Sequence, residues 1–437
     1  MSDLEYIGKP LTRVDGVDKV VGQTVYGYDF ALRDMLYGKA VFSSRAHAKI
    51  KKVDTSQAEA YPGVVAVVTA ADAPWIHGET VHDKPFFAGK KVRFIGEPIA
   101  AVAAVDEDTA DLAAKLVTVE YEDLPAYFSP EDACQADASL IHEDFDDYKK
   151  VGFIVGGSKV RAKRNVLEHF KLRSGDVNKA FDEADVVFKD RYTVPVVHHA
   201  AMEPHAAHAQ VDPKSGRITV WSPTDAPFRS REELAQALNC PEENIRMINP
   251  FQGGGFGSKG GLKVEPIAIA LAYRTDGKPV RVKFNREETF RSTLTRHDAV
   301  IEIKSGVMRS GELLAREVTA YWGSGAYAEK SATVCIRGSL FAPGPYRIPN
   351  VKVDAYSVYT NKPTCGAYRG YGIPQVVWAC EQHMDELACL IDIDPLTFRL
   401  LNAFDEGDIS YWGEKLHAVG LKECLTKAAA ALDWDNP

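Results

Sequence analysis

The sequence predicts an α+β protein made of more than one compact unit. Short strand-like runs containing β-branched residues are followed by helical patterns that begin at capping residues. The chain has 437 residues, of which 45% are hydrophobic and 26% charged, the balance of a globular protein. This length suggests roughly two or three domains. We divide the chain into a first unit over 1–145, a linker over 146–168 and a second unit over 169–437.

The first unit is defined by its strand and turn signals. Strands are predicted within Gly38–Asp54, at Val64–Thr69 and within Val92–Asp106, bounded by polar or proline-containing turns. The segment "EDTADLAAKLVTVEYEDLPA", which starts at Glu107, begins with acidic and threonine capping residues and continues with apolar residues at helical spacing. It then runs into a further strand. The linker over 146–168 loses this periodicity and gathers Gly, Lys and Arg.

The second unit opens with an alternating stretch from Asp185, "DVVFKDRYTVPVVHHAAMEPHAAHAQVDP", which predicts a strand. Another strand is predicted within Arg217–Phe228 ("RITVWSPTDAPF"). The segment Ser230–Ile248 reads as a capped amphipathic helix that leads into a strand, and Leu262–Gly277 has the propensity of a helix.

Composition excludes several classes of function. The net charge is −9 and no basic stripe is interleaved with aromatic residues, which argues against a nucleic-acid partner. No apolar run reaches membrane-spanning length and the first residues do not resemble a secretory signal, so we expect a cytoplasmic protein without a membrane anchor. The seven cysteines are scattered without a C-x-x-C pair, which supports neither a zinc site nor an iron–sulfur cluster on this chain.

The segment "NPFQGGGFGSKGG" (Asn249–Gly261), the first glycine loop, has six glycines among thirteen residues. It lies between a predicted strand and a predicted helix, an order that presents backbone N–H groups and a helix N-terminus to an anion. A Walker loop is disfavoured because Ser258 separates Gly257 from Lys259, and a Rossmann site lacks its acidic residue and its parallel context. Close packing of two elements is the alternative explanation of so many glycines.

A second glycine loop, "PTCGAYRGYGIPQ" (Pro363–Gln375), surrounds Arg369 and precedes the helical stretch "VVWACEQHMDELACLI". Two glycine-rich turns, each leading into a helix, can grip one extended anionic ligand from two sides. An arginine in such a turn suits a phosphate or a carboxylate because its guanidinium donates two parallel hydrogen bonds.

The pair "GGGFGSK" and "GAYRGYGIPQ" resembles the cofactor loops of the molybdenum hydroxylases, the xanthine dehydrogenase and aldehyde oxidase family. The segments "KPLTRVDGVDKVVGQTVYGYD", "PGVVAVVTAAD" and "VRFIGEPIAAVAA" are similar to that family's hammerhead domain. The segments "MEPHAAHA", "GSGAYA" and "PGPYRIPNV" are similar to the first of its two molybdenum-cofactor-binding domains. The resemblance thus implies a hammerhead domain over 1–145, the first cofactor domain over 169–437, and molybdopterin in its cytosine dinucleotide form.

The same resemblance implies an activity and partners. The expected reaction hydroxylates an electron-poor, N-heteroaromatic and carboxylated substrate with oxygen derived from water. We expect the family's second cofactor domain, with the Glu that acts as general base, on a second molybdopterin subunit, as in split nicotinate dehydrogenase. Iron–sulfur clusters and FAD are expected on further partner subunits. A reductive dehydroxylase of the 4-hydroxybenzoyl-CoA reductase type, a non-catalytic assembly partner and a molybdenum-free nucleotide-binding module are the alternatives.

Site residues follow from the matched motifs. Cofactor-binding positions implied by the resemblance are Gln252, Gly254, Gly255, Phe256, Gly257, Ala367, Tyr368 and Arg369. Substrate-binding positions are Phe256, Gly260, Arg337, Arg369 and Tyr371. Arg337 can anchor a carboxylate or stabilise developing negative charge, and Tyr371 can stack on a planar substrate. The expected catalytic residues of this chain are Arg337, Arg369 and Asp225.

Two positions depart from the family pattern. Asp225, in "SPTDAPF", stands where relatives commonly place a Gln that donates to the molybdenum oxo group. Because a carboxyl donates only when protonated, either burial protonates Asp225, or the contact differs, or the loop is shifted by one residue. Gly260 stands where purine hydroxylases carry a Glu, which makes xanthine a poor candidate substrate.

Two further features have structural interpretations. The cluster in "HHAAMEPHAAHA" is predicted to supply core or interface histidines rather than a metal site: His198, His199, His205 and His208. Glu203, in the "MEP" stretch, is predicted to be structural and not the missing base.

Overall fold

The structure is a computed structural model that describes residues 4–151 and 164–434. Its strands are β1 Leu36–Phe42, β2 Ala48–Asp54, β3 Val64–Thr69, β4 Ile76–His77, β5 Lys84–Pro85, β6 Lys91–Val92, β7 Pro98–Ala104, β8 Thr118–Asp123, β9 Val166–Ser174, β10 Val186–Val194, β11 Val197–His198, β12 Ala206–Val211, β13 Ile218–Trp221, β14 Ile245–Ile248, β15 Val280–Lys283, β16 Thr295–Arg296, β17 Ala299–Val307, β18 Leu313–Gly325 and β19 Asn350–Tyr359.

Helices occur between these strands throughout the chain. They are α1 Gly16–Val20, α2 Ser56–Glu59, α3 Glu107–Ala114, α4 Pro130–Ala133, α5 Val177–Glu183, α6 Pro227–Leu238, α7 Glu265–Ala272, α8 Arg286–Ser292, α9 Ser331–Leu340, α10 Ile373–Leu390, α11 Pro395–Asn402 and α12 Leu421–Ala431, with short 3-10 turns at Phe145–Asp147 and Glu242–Asn244. The predicted α+β class is confirmed.

A seven-stranded sheet with the order β14-β13-β12-β15-β1-β7-β3 joins the two halves of the chain. Strand β1 pairs in parallel with β15, with Leu36 opposite Val280, and antiparallel with β7 on its other side. Helix α7 is buried along its whole length against this sheet, which its all-apolar sequence after Glu265 and Pro266 requires. The sheet therefore contains strands from both sides of the predicted linker, and the division at 145 and 169 stays a prediction.

A five-stranded sheet with the order β10-β17-β18-β19-β9 forms the second core. Helices α9 and α10 pack on it, and Trp322 at the centre is fully buried, with its indole N–H donating to Ser339 Oγ at 3.1 Å. The second glycine loop leaves the end of this sheet and enters α10, whereas the first glycine loop leaves β14 of the seven-stranded sheet. Each glycine loop thus starts from a different rigid sheet.

Local signals predicted several elements well. Strand β3 has the predicted bounds Val64–Thr69, and α3 begins after Asp106, whose carboxylate accepts from Thr109 N at 2.7 Å. The alternating stretch from Asp185 was predicted as one strand but forms three, β10 to β12. Pro195, which lacks a backbone N–H for a ladder, separates β10 from β11, and Ala200, with a φ of 50°, lies in the connection from β11 to β12.

The linker prediction lies partly outside the described residues, because 152–163 are not described. Within the described parts of the chain, no helix combines the length and the apolar character needed to cross a membrane.

Gly38 tests the junction between the two halves. A Cβ on Gly38 would lie 2.6 Å from Val282 Cγ2 and 2.8 Å from Leu271 Cδ1, both side chains being part of the buried core. We expect Gly38→Ala to lower the free energy of unfolding by about 1–3 kcal/mol, because the added methyl overpacks the contact between β1 and β15. Urea unfolding followed by circular dichroism measures this.

Gly16→Ala is the matched control for Gly38→Ala, because its Cβ would meet only Arg13 Cβ at an ordinary 3.6 Å. Equal effects of the two substitutions would contradict the overpacking argument.

Candidate functional site

The first glycine loop turns sharply because several residues adopt the left-handed backbone conformation. Gly254, Phe256 and Gly257 have φ values of 97°, 57° and 102°. The Ser258 hydroxyl donates to Gly255 O at 2.8 Å, which closes the turn. Phe256, at the tip, is 50% exposed even though it is a large apolar side chain. The loop thus presents a bare backbone and one aromatic ring to its surroundings.

The two glycine loops are in direct contact. Arg369 N donates to Phe256 O at 3.0 Å, and a Cβ on Gly257 would lie 2.5 Å from Ala367 O. Packing between loops therefore accounts for glycine at position 257, as the alternative explanation proposed. It also brings together the two segments that the sequence predicted to share one ligand.

A buried ion pair holds the first loop against the chain. Lys259 Nζ lies 2.5 Å from Glu203 Oε2, with side chains only 1% and 6% exposed. Glu203 also accepts from Gly253 N at 2.7 Å and from Tyr28 N at 2.9 Å. Burial lowers the pKa of Lys259, and the Glu203 carboxylate opposes that shift. With three donors on its carboxylate, Glu203 holds the loop at Gly253 and at Lys259 and joins it to the N-terminal segment.

The second loop is supported by His199 and Arg296. The His199 ring stacks on Tyr368 at 4.2 Å, and its Nε2 lies 2.8 Å from Ala367 O. Its Nδ1 lies 3.2 Å from Leu294 O. Burial lowers the pKa of His199, and the two carbonyl contacts oppose that shift. Arg296 places its guanidinium 3.9 Å from the Tyr368 ring and donates to Arg369 O at 2.9 Å. These contacts fix the backbone around Arg369.

Asp225 is exposed. The first of the three explanations for this position required its burial, and the described structure does not bury it. Its Oδ1 accepts a hydrogen bond from Gln252 Nε2 at 2.8 Å. The side-chain amide of Gln252, a predicted cofactor-binding residue, therefore already has a partner within the chain. A Cβ on Gly255 would collide with Gln252 Nε2 at 2.1 Å and approach Asp225 Oδ1 at 2.9 Å. Asp225 and Gln252 therefore form one polar unit against the first glycine loop, in which Asp225 is the acceptor.

Three of the predicted substrate residues lie on the second loop or on α9: Arg369, Tyr371 and Arg337. Tyr371 is half-buried and its hydroxyl lies 2.8 Å from Thr333 Oγ1 on α9. Arg337 follows Thr333 by one turn of α9, so both lie on the same face of the helix. Arg337 is exposed, with its guanidinium 5.2 Å from the Phe341 ring. Arg369 is exposed too, and among the described residues its guanidinium has no hydrogen-bond or ion-pair partner.

Gly260 is buried, and the nearest atom to a Cβ built on it is Lys330 Nζ at 3.4 Å. Four residues contact the glycine loops although the sequence did not predict them as site residues: Lys259, His199, Arg296 and Lys330. Their side chains meet the loops through tertiary contacts between distant segments. Only the position of Lys259 inside the glycine motif gave a local signal.

The histidines of the cluster contact different groups in separate parts of the structure. His198 Nε2 faces Thr293 Oγ1 at 3.0 Å, His205 faces Ser258 O at 3.2 Å, and His208 faces Phe30 O at 2.8 Å. In residues 4–151 and 164–434, no three His, Cys, Asp or Glu side chains are grouped to hold a metal ion. His199 and His205 instead support the glycine loops.

A cleft of about 840 Å³ lies elsewhere, lined by residues that include Arg347, Asn402 and Tyr411. None of the predicted site residues lines it. We place the site at the glycine loops because the predicted site residues lie there and the two loops contact each other. The volume of a cleft alone does not indicate a function.

Two family models match the chain. The molybdopterin cofactor-binding domain matches residues 159–403, and the aldehyde oxidase and xanthine dehydrogenase a/b hammerhead domain matches residues 21–125. The chain belongs to the aldehyde oxidase and xanthine dehydrogenase family. It therefore combines a hammerhead domain with a molybdopterin-binding domain, as the resemblance implied.

Relatives differ in how much of their length this chain covers. It is 37% identical to a probable xanthine dehydrogenase subunit of Bacillus subtilis, over 91% of this chain but 51% of that protein. It is 35% identical to the nicotinate dehydrogenase large molybdopterin subunit of Eubacterium barkeri, over 98% of this chain and 96% of that subunit. The chain thus spans about half of the former and nearly all of the latter.

Solved structures show the same fold. The aldehyde oxidoreductase of Desulfovibrio gigas superposes with a TM-score of 0.87 and 28% identity, over 96% of this chain and 46% of that chain. The CO dehydrogenase of Oligotropha carboxidovorans gives a TM-score of 0.89 and 28% identity, over 98% of this chain and 54% of that chain.

The Glu203–Lys259 pair can be tested by substitution. We expect Glu203→Gln to lower the free energy of unfolding by about 3–5 kcal/mol, because it leaves the Lys259 ammonium buried without a counter-charge. The double variant Glu203→Gln/Lys259→Met is expected to recover part of the loss. Urea unfolding of wild type, both single variants and the double variant gives the coupling energy. Additive effects would show that the two side chains stabilise the loop independently.

Proposed function

We propose that this chain is the molybdopterin-binding part of the catalytic unit of a molybdenum hydroxylase. Its substrate is an electron-poor N-heteroaromatic compound that carries a carboxylate, and the inserted oxygen comes from water. The observation that carries the proposal is the contact between the two glycine loops, in which the Arg369 backbone meets the exposed tip of the first loop. Among the described residues the Arg369 guanidinium has no partner.

The residues present fit a bulky anionic cofactor. Positive φ angles at Gly254 and Gly257 and the absence of side chains leave backbone exposed at the loop tip, where a pterin can approach closely. Gln252, Gly254, Gly255, Phe256 and Gly257 would hold the cofactor from one side, and Ala367, Tyr368 and Arg369 from the other. The cytosine dinucleotide form is part of this proposal. When bound, the molybdenum centre supplies the two-electron oxidising chemistry and acts as Lewis acid.

The substrate side uses cations and an aromatic ring. Arg337 and Arg369 are both exposed and carry fixed positive charge that can hold a carboxylate and stabilise negative charge in the transition state. Tyr371 keeps its ring in place through the Thr333 contact and can stack on a planar substrate. Asp225 acts by orienting Gln252 at the first loop. Glu203 is occupied by three donors and does not serve as the base.

Partners complete the enzyme. The near-complete match to a nicotinate dehydrogenase large molybdopterin subunit supports a split catalytic unit, in which a second molybdopterin subunit provides the general-base Glu. Iron–sulfur clusters and FAD belong to further subunits in this proposal, and the complex functions in the cytoplasm. The hammerhead domain occupies 1–145 and the cofactor domain 169–437, joined by the segment 146–168.

Metal analysis tests the proposal. We expect close to one molybdenum per chain, measured by mass spectrometry of metals on the natively purified complex, together with turnover of a carboxylated N-heteroaromatic acid such as nicotinate. Molybdenum without hydroxylation, but with reductive removal of a ring hydroxyl, would favour the dehydroxylase alternative. An intact, matured complex without molybdenum would overturn the catalytic proposal and favour an assembly role, or a nucleotide-binding module if it holds a simple purine nucleotide without pterin.

Gly257→Ala provides a structural test of the cofactor loops. The methyl would lie 2.5 Å from Ala367 O and force the two loops apart, so we expect molybdenum content to fall severalfold. The control is Gly216→Ala, which also replaces a glycine of positive φ (70°) but where a Cβ would have open space. An equal loss of molybdenum in both variants would mean that strain, and not the contact between loops, is responsible.

A further inference from the structure

Lys330 lies between the two glycine loops. It precedes α9 as its capping residue, and its ammonium is 3.4 Å from the position that a Cβ would take on Gly260. Its side chain is 16% exposed. Because Gly260 has no side chain, the Lys330 ammonium lies next to the space that a side chain at position 260 would fill.

The same lysine is tied to the second loop. The Thr333 hydroxyl lies 2.8 Å from both Lys330 O and the Tyr371 hydroxyl. The first turn of α9 therefore joins Lys330 to Tyr371. The ammonium of Lys330 thus lies at Gly260, and its backbone carbonyl is linked through Thr333 to Tyr371; Gly260 and Tyr371 are the two positions predicted to contact a substrate from opposite loops.

The hammerhead unit holds this lysine in place. Glu79 Oε2 is 3.2 Å from Lys330 Nζ, and Glu79 also contacts Arg229 Nη1 at 2.5 Å. The Thr80 hydroxyl donates to Glu329 O at 2.8 Å, and Asp83 accepts from Ala328 N at 2.8 Å. The segment 79–83 therefore fixes the chain immediately before α9. The position of Lys330 is set by a different unit from the one that carries the glycine loops.

The ammonium retains donors for a ligand. A lysine has three N–H donors, and among the described residues Glu79 is its one ion-pair partner. Glu79 is itself shared with Arg229, so this carboxylate is divided between two cations. Burial lowers the pKa of Lys330, but Glu79 and Glu329 raise it by more, so the side chain is charged at neutral pH. The charge is partly desolvated and therefore acts strongly over short distances.

We propose that Lys330 is a specificity-determining residue that binds the carboxylate of the aromatic substrate on the Gly260 side of the site. This inference rests on the proposed function. Glu79 is a positioning residue, since it acts through its ion pair with the lysine and is shared with Arg229. A cation at this place favours substrates with an anionic or acceptor edge and disfavours those that present N–H donors there.

Lys330→Met tests the proposal, because methionine keeps the apolar stem of the side chain and removes its charge. Equilibrium binding of nicotinate and of its uncharged amide, nicotinamide, is measured by calorimetry on the whole complex, alongside KM and kcat. We expect the Kd and KM for nicotinate to rise about tenfold or more, as for loss of a hydrogen bond to a charged group, with kcat changed less than about threefold. Affinity for the amide is expected to change little, and Lys330→Arg is expected to restore part of the nicotinate affinity.

Lys352→Met is the matched control, because Lys352 is likewise paired with a glutamate, Glu317 at 2.6 Å, but lies on β19. It is expected to leave both affinities unchanged. An equal loss of affinity for acid and amide in Lys330→Met would indicate a packing role and overturn the proposal, as would unchanged binding of both.

Molybdenum content and wild-type turnover, measured on the same samples, separate this inference from the proposed function. A molybdenum-loaded complex that turns over nicotinate, with unchanged nicotinate affinity in Lys330→Met, would overturn the role of Lys330 alone. A wild-type complex that binds no aromatic carboxylate would overturn both proposals.

Discussion

The site depends on the buried ion pair between Glu203 and Lys259. A lysine that is 1% exposed needs a counter-charge, and Glu203 supplies it while also accepting from backbone N–H groups of Gly253 and Tyr28. These three contacts join the N-terminal segment, the strand connection after β11 and the first glycine loop. Since a loop of glycines has high conformational entropy, the ion pair helps to restrict it to one conformation.

The second glycine loop takes its conformation from the first loop and from aromatic contacts. Its backbone is held by Phe256 O, His199 and Arg296, so that Tyr368 is fixed and the Arg369 guanidinium is left free of partners in the described structure. The glycines at 255 and 257 serve this arrangement directly, because any side chain would collide with Gln252 or with Ala367. Packing and ligand binding are therefore not competing explanations of the glycine motif, because the same close contact also brings together the two loops proposed to hold the cofactor.

The N-terminal unit is part of the site as well as of the fold. Strand β1 continues the sheet from which the first loop emerges, and the segment 79–83 fixes the start of α9 through Thr80 and Asp83. Asp83 is fully buried, and burial raises its pKa to about 7 while it accepts from Ala328 N and from the Tyr359 hydroxyl. A buried contact across two units positions groups more rigidly than a surface loop can.

The sequence by itself determined the α+β class, the bounds of β3, the helix after the second loop and the family, because periodicity, capping residues and glycine motifs are local signals. It also indicated Arg337, Arg369 and Tyr371 through matched motifs. Only the tertiary structure decided that Glu203 pairs with Lys259, 56 residues away, that Asp225 faces Gln252, and that Lys330 stands against Gly260. Such contacts depend on how sheets from distant segments pack together, and the spacing of residues along the chain does not encode that packing.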